Sequence, residues 1–446
     1  MLDWLRSFTT RLIVSRDDQE TKPYLQYVLL FQAGVTIVEL YLDWRQRKCY
    51  EYKSIPKELE KHVTPEKFEK AQKYGKDKNT FSIWSQVVQT GVHMTLFATY
   101  SLPSLWNRCS QWMQKHTLPI FPQELQTTLL YSSALFVGSK LISLPFRIYN
   151  TFVLEQKYDF NKTTWKLFVK DLFTESVLSA VIGYPSLIGL WYVLETSGPR
   201  LWLYFWLFTS SLSVLLALLY PPLIMPLFNK FQPLQDEKLR REIEELANQV
   251  GFPLNKIYVM DGSKRSSHSN AFMYGIWKKG IVLYDSLLEQ NKGHDERILA
   301  VLAHEMGHWK MRHTQKMLVI GLLHSLALSW SYGKIANNES IYRSFGFQTK
   351  AHIIGLLLFS ELLTPLDSVL GLMMNSISRR FEYSADDYAK NLGYSSFLIE
   401  ALITLHLENL STMYPDPWYS LYHNSHPTLT ERINALENNL ETKKNQ

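Results

Sequence analysis

Seven windows of about 20 residues, almost free of charge, recur along this chain: 24–42, 82–102, 127–145, 172–194, 201–225, 317–332 and 352–374. A helix of that length crosses a bilayer core of roughly 30 Å. Inside lipid the backbone has no water to bond, so a spanning segment must be helical or belong to a closed barrel. Buried helices of a soluble protein look similar one at a time. Seven of them in 446 residues favour a polytopic α-helical membrane protein. The sixth window is short, and the seventh carries Glu361, Pro365 and Asp367.

The mean hydropathy is nevertheless −0.14. Two features account for it. Hydrophilic stretches occupy 43–80, 226–313 and 376–446, and the apolar windows themselves contain polar residues. Gln86, Gln89 and His93 share one helical face, as do Gln32 and Glu39; Glu175, His324, Glu361 and Asp367 add to the set. Such groups are costly against lipid and face a bundle interior or a water-filled cavity. Interhelical hydrogen bonding and an aqueous chamber both fit the pattern.

Basic residues orient the spans. Eleven Lys or Arg lie in 43–80, only Arg108 and Lys115 in the next connection, and Lys157, Lys162, Lys166 and Lys170 in the one after. This alternation puts 43–80, 149–171, 226–313 and the tail in the cytosol. The amino terminus is then lumenal, against the pull of Arg6, Arg11, Arg16 and Lys22. No short apolar run with a small-residue cleavage site opens the chain, so no cleaved signal peptide is expected. The net charge of +6 comes mostly from the loops, and no basic motif interleaved with aromatics points to nucleic acid. Cys49 and Cys109 fall on opposite sides in this topology, which offers no disulfide framework. Asn338-Glu339-Ser340 fits a glycan acceptor, but it lies too close to the membrane to be used. The last four residues, Lys443-Lys444-Asn445-Gln446, read either as a dilysine endoplasmic-reticulum retrieval signal or as a solvated charged end.

The stretch 226–313 reads as a compact α/β segment. Helical periodicity at 235–249 ends near Gly251 and Pro253; β-rich runs follow at 257–260 and 281–284, with another candidate strand at 269–275. Helix resumes near Asp295, where His304-Glu305-Met306-Gly307-His308 forms an H-E-x-x-H pattern. Residues four apart lie on one helical face, so both imidazoles can ligate one Zn²⁺ while Glu305 takes a proton from the attacking water. His313 lies nine residues past His304, about half a turn around a continuous helix, and is expected to point away as a surface residue. The third ligand must come from elsewhere. Glu382 is the best candidate, since it pairs with Asp386 at i, i+4 and would complete a His₂Glu site with one position open for water. Asp386 could then bond the far ring nitrogen of a ligand histidine. Taken alone, such a pair is more often a solvated face.

In chain order, Asn270-Ala271-Phe272, the H-E-x-x-H, Phe381-Glu382 with Ala385-Asp386, His426-Pro427 and Arg432-Ile433, set among the seven windows, resemble the integral-membrane zinc CAAX prenyl proteases. The resemblance covers nearly the whole chain. It implies a barrel of seven transmembrane helices around a chamber, closed at its cytosolic end by a small α/β zincin-type metalloprotease domain. In that frame 1–225 holds spans one to five, 314–375 holds spans six and seven, and 226–313 and 376–446 are the two parts of the protease domain.

The activity implied is that of a zinc metalloendopeptidase, with one Zn²⁺ per chain, that removes the aaX tripeptide from prenylated CAAX proteins; some members also make a second, upstream cut. His304, His308 and Glu382 would hold the metal, and Glu305 would act as general base. The resemblance also implies that His426 and Arg432 stabilise the oxyanion, and that Asn270, Ala271 and Phe272 form an edge strand pairing with the substrate. A monomer in membrane lipid completes the expectation, in the endoplasmic reticulum, inner nuclear membrane included, with its catalytic domain facing the cytosol. Two other readings remain open. One is a site-2-type intramembrane or general quality-control metalloprotease using Asp367, although His304 follows the polar Asp295-Glu296-Arg297 and Glu382 has no use there. The other is a transporter or scaffold with zinc structural or absent.

Overall fold

The computed structural model describes residues 22–275 and 279–444. Arg6, Arg11 and Arg16, and the Asn445-Gln446 end of the dilysine pattern, lie outside the described residues.

Among the described residues, five helices are long and apolar enough to cross a membrane: Tyr24–Cys49, Gln123–Glu155, Trp165–Thr196, Gly198–Phe228 and His352–Asn391. The windows at 82–102 and 317–332 are also helical but fall short of that standard. Gln86, Gln89 and His93 dilute the first, and its helix, Pro65–Ala98, stops before the window does. Tyr100 takes a left-handed φ of 53°, and Ser101–Lys115 begins a separate amphipathic helix. The second window belongs to His313–Ile335, which carries Lys316 and His324.

Polar residues of the spans find one another. Gln32 Nε2 donates to Glu361 Oε2 at 2.7 Å, His93 Nε2 sits 3.1 Å from Glu361 Oε1, and Gln86 donates to Glu39. A cavity of ≈ 1150 Å³ has Gln32, Glu39, Gln89, His93, Glu361 and Asp367 in its wall. Interhelical bonding and a cavity with polar groups in its wall therefore coexist.

Strands β1 (Phe231–Pro233), β2 (Leu254–Met260), β3 (Ala271–Tyr274) and β4 (Lys279–Tyr284) form one sheet in the order β1-β2-β4-β3. β2 and β4 run parallel, the other two pairs antiparallel, and β3 is an outer strand. Between β1 and β2 runs the helix Glu237–Val250, started by the Asp236 carboxylate on two backbone N–H groups and ended by Gly251 at φ 75°. The two-residue alternation of β4 sends Ile281 and Leu283 into the helix-side core and Val282 against Met225 and Met260.

Ile243, Ile281, Leu283, Leu302 and Met306 share that core with Ala389, Leu398 and Leu436. Burying side chains of this kind stabilises by roughly 1.5–3 kcal/mol each, enough to bind two blocks distant in sequence into one body. A second core joins Leu59, Phe68 and Tyr74 to Leu154 and Phe160 and to Ile403, Met413 and Ile433. His352–Asn391 is a single helix of 40 residues, about 60 Å long. It buries Ile354 and Leu358 near its start and Glu382, Ala385 and Asp386 near its end, so the boundary expected at 375/376 falls inside one helix. A membrane helix thus delivers Glu382 to the α/β body directly.

Candidate metal centre

The helix Asp295–Lys310 has acidic Asp295 and Glu296 in its first turn, where the peptide dipole favours them. Ile298, Leu302 and Met306 recur every four residues and pack into the core with the sheet. His304 and His308 are thereby presented to the last turns of His352–Asn391. Gly307 lets the two helices meet: a Cβ there would lie 3.0 Å from Tyr388 Cβ and 3.2 Å from the Ala385 Cα and carbonyl oxygen.

His304 Nε2 and His308 Nε2 are 3.2 Å apart. Glu382 Oε2 is 3.5 Å from the first and Oε1 is 3.3 Å from the second. Zinc–ligand bonds of about 2.05 Å at tetrahedral angles separate ligand atoms by about 3.3 Å. The two ring nitrogens and the Glu382 carboxylate, which turns a different oxygen to each ring, therefore converge at about the spacing of zinc ligands. Two imidazole nitrogens and a carboxylate converging this closely repel one another unless a cation or a proton lies between them. The donor set fits Zn²⁺.

His304 Nδ1 lies 2.8 Å from Asp386 Oδ1, which holds the ring proton there and leaves Nε2 free to ligate. Burial alone would depress His304, but the Asp386 and Glu382 carboxylates outweigh it and raise it to about 9. Burial also pushes the Glu305 carboxyl above its ordinary value, which suits a proton acceptor.

Arg432 is 8% exposed. Its Nε and Nη2 donate to Asp386 at 2.8 and 2.6 Å, and Nη1 lies 3.6 Å from Glu382 Oε2. Two of its nitrogens are engaged by Asp386, which ties the guanidinium to the carboxylate that holds His304.

His313 is not a surface residue. The first helix ends at Lys310, Arg312 takes a φ of 57°, and a new helix starts at His313. This break turns the His313 ring back onto Phe381, where it is 4% exposed. The half-turn reasoning failed because it carried one helix through Arg312.

His426 is largely exposed, with Nε2 3.4 Å from Glu382 Oε1. The segment leading to it is pinned from two sides. Arg45 Nε and Nη2 donate to Asp416 at 3.1 and 2.9 Å, and Gln46 Oε1 accepts the Asp416 N–H at 2.8 Å. Arg379 Nη1 donates to the carbonyls of Leu421 and Asn424 at 3.2 and 2.7 Å. Sequence reasoning missed Arg45: its contact spans 371 positions, and no local pattern marks it. Asn270 is exposed just before β3 and accepts the Ala271 N–H on its side chain at 2.8 Å; Ala271 is buried and Phe272 half-buried at the start of that outer strand. Asp367 lines the membrane cavity, while among the described residues His304, His308 and Glu382 form a metal-capable group.

Residues 45–230 match the family model described as CAAX prenyl protease N-terminal, five membrane helices, and residues 233–440 match peptidase family M48. A CAAX prenyl protease 1 homolog of Oryza sativa subsp. japonica is 41% identical over 416 residues, covering 93% of this chain and 97% of the rice protein. The chain belongs to the CAAX prenyl proteases. The Homo sapiens CAAX prenyl protease 1 homolog is 36% identical over 450 residues, 92% of this chain and 94% of the human one. The crystal structure of S. mikatae Ste24p matches with a TM-score of 0.88 at 38% identity, over 94% of this chain and all of that one. Membership makes the chain a multi-pass membrane metalloprotease and sets aside the transporter and site-2-type readings.

Proposed function

We propose that the chain is a zinc metalloendopeptidase that removes the aaX tripeptide from prenylated CAAX proteins, with one Zn²⁺ held by His304, His308 and Glu382. The observation that carries this reading is the convergence of the His304 and His308 Nε2 atoms, 3.2 Å apart, on the two oxygens of the Glu382 carboxylate at 3.5 and 3.3 Å. Bound there, Zn²⁺ supplies Lewis acidity to the scissile carbonyl and to the attacking water. Glu305 accepts the proton of that water and passes it to the leaving amine. His426, exposed beside Glu382, donates to the developing oxyanion. Asp386, braced by Arg432, keeps the His304 proton on Nδ1. The free edge of β3, entered through Asn270, Ala271 and Phe272, accepts the extended substrate as an added strand.

The same reading places seven helices in the membrane, including Pro65–Ala98 and His313–Ile335, as a barrel around the polar cavity. The protease domain is formed from 226–313 and 376–446, supported by their common apolar core. A cytosolic orientation is supported by the basic loops and by the packing of Leu59 and Phe68 with Leu154 and Met413. Residence in the endoplasmic-reticulum membrane, a monomeric state and a second, upstream cut belong to the proposal as well. The test incubates the purified protein with a farnesylated CAAX peptide and its unprenylated twin. Mass spectrometry is expected to show loss of three residues, stopped by a zinc chelator; an intact farnesylated peptide would overturn the reading.

A further inference from the structure

His313 has no part in the chemistry above, yet it is buried against it. Its Nδ1 lies 2.9 Å from Nδ1 of His308. Its ring stacks on Phe381 at 4.1 Å between centroids and 4° between planes, and its Nε2 lies 3.4 Å from Ser384 Oγ. Protons can be assigned along this chain of contacts. Ser384 Oγ donates its hydrogen to the Phe381 carbonyl at 2.9 Å, so toward His313 it can only accept. His313 therefore carries its hydrogen on Nε2 and offers a bare Nδ1. That nitrogen accepts the Nδ1–H of His308, which leaves the His308 Nε2 lone pair directed at His304 and Glu382.

We propose that His313 is a positioning residue for the metal centre, fixing the tautomer and ring angle of His308 through an imidazole–imidazole hydrogen bond. It does not touch the ion. The two ligand histidines are thus oriented differently, His304 by the Asp386 carboxylate and His308 by a neutral ring. The left-handed Arg312 is the local device, because only a break there brings the ring five residues after His308 back to it. Losing such an outer partner typically lowers metal affinity by about 10–100-fold.

This inference rests on the reading of His304, His308 and Glu382 as a zinc site, and the experiment separates the two. Zinc affinity is measured by chelator competition on the full-length, detergent-purified protein and on Glu382→Ala, His313→Phe and His313→Gln. Phe keeps an aromatic ring on Phe381 but offers no acceptor, whereas Gln offers one through Oε1. The expected result is a loss of about 10–100-fold in His313→Phe and near-wild-type affinity in His313→Gln, with the chelated forms melting alike. Wild-type affinity in His313→Phe, or a Gln variant as weak as Phe, overturns the role of His313. Wild-type zinc that does not depend on Glu382 overturns the metal-site reading itself.

Discussion

Gly307→Ala isolates the helix contact that sets the size of the metal centre. The added Cβ would lie 3.0 Å from Tyr388 Cβ and 3.2 Å from the Ala385 backbone, whereas ordinary contact begins at 3.4 Å. Neither neighbour is a flexible side-chain end, so the helices must separate by about 0.4 Å at Tyr388. Ala385 lies three residues past Glu382 and one before Asp386, so both carboxylates move with it. Metal sites tolerate about 0.2 Å in ligand distance. A shift twice that size is expected to lower zinc affinity by about 10–100-fold, or about 1.4–2.8 kcal/mol. Helix propensity acts the other way: Ala favours a helix interior over Gly by about 1 kcal/mol, which offsets part of an overpacking cost of about 1–3 kcal/mol. The chelated variant should therefore melt within a few degrees of wild type while chelator competition shows the weakened site. A Gly307→Ala protein that holds zinc as tightly as wild type would refute the argument that this contact sets the ligand spacing.

Further expectations concern the surrounding residues. Glu305→Gln should keep zinc but lose about 10²–10⁴-fold in peptide hydrolysis, whereas Glu382→Ala should lose both; retained hydrolysis in Glu305→Gln would remove it as the base. Arg45→Ala takes the bidentate partner from a buried Asp416 and loosens the segment before His426. Turnover of a farnesylated CAAX peptide should fall by about 10–100-fold with zinc content unchanged, and an unaffected kcat would separate that clamp from the reaction. Burial pushes His406 down from 6.5 to about 4, so it contributes stability that is fully present above pH 6.5 and is lost as pH falls toward 4. Thermal melting across that window should show a loss of up to about 3 kcal/mol, and His406→Gln should flatten the dependence.

The sequence carried the site further than the membrane part. His304 and His308 are local on one helix, and Glu382 was within reach because it shares a helical face with Asp386. Their meeting depends on Gly307, whose meaning appears only when Ala385 is seen against it. His313 was misplaced, and the pairing of Arg432 with Asp386 was missed, for different reasons. Arg312 takes a left-handed conformation without the glycine that usually signals one, so the helix break was invisible. Arg432 carries a charge that suits an oxyanion, but its partner Asp386 lies 46 positions away. Hydropathy located the apolar helices, yet it ran the 82–102 window across the turn at Tyr100 and could not separate a polar span from an interfacial helix.

The account stands on a zinc ion held by two histidines and one glutamate. X-ray absorption at the zinc edge of the purified protein tests that directly. The expected spectrum shows two imidazoles and oxygen ligands at about 2.0–2.2 Å, with no sulfur, and the signal is lost from Glu382→Ala. A sulfur-ligated zinc, a zinc shell unchanged by Glu382→Ala, or peptide hydrolysis by a zinc-free protein would contradict it.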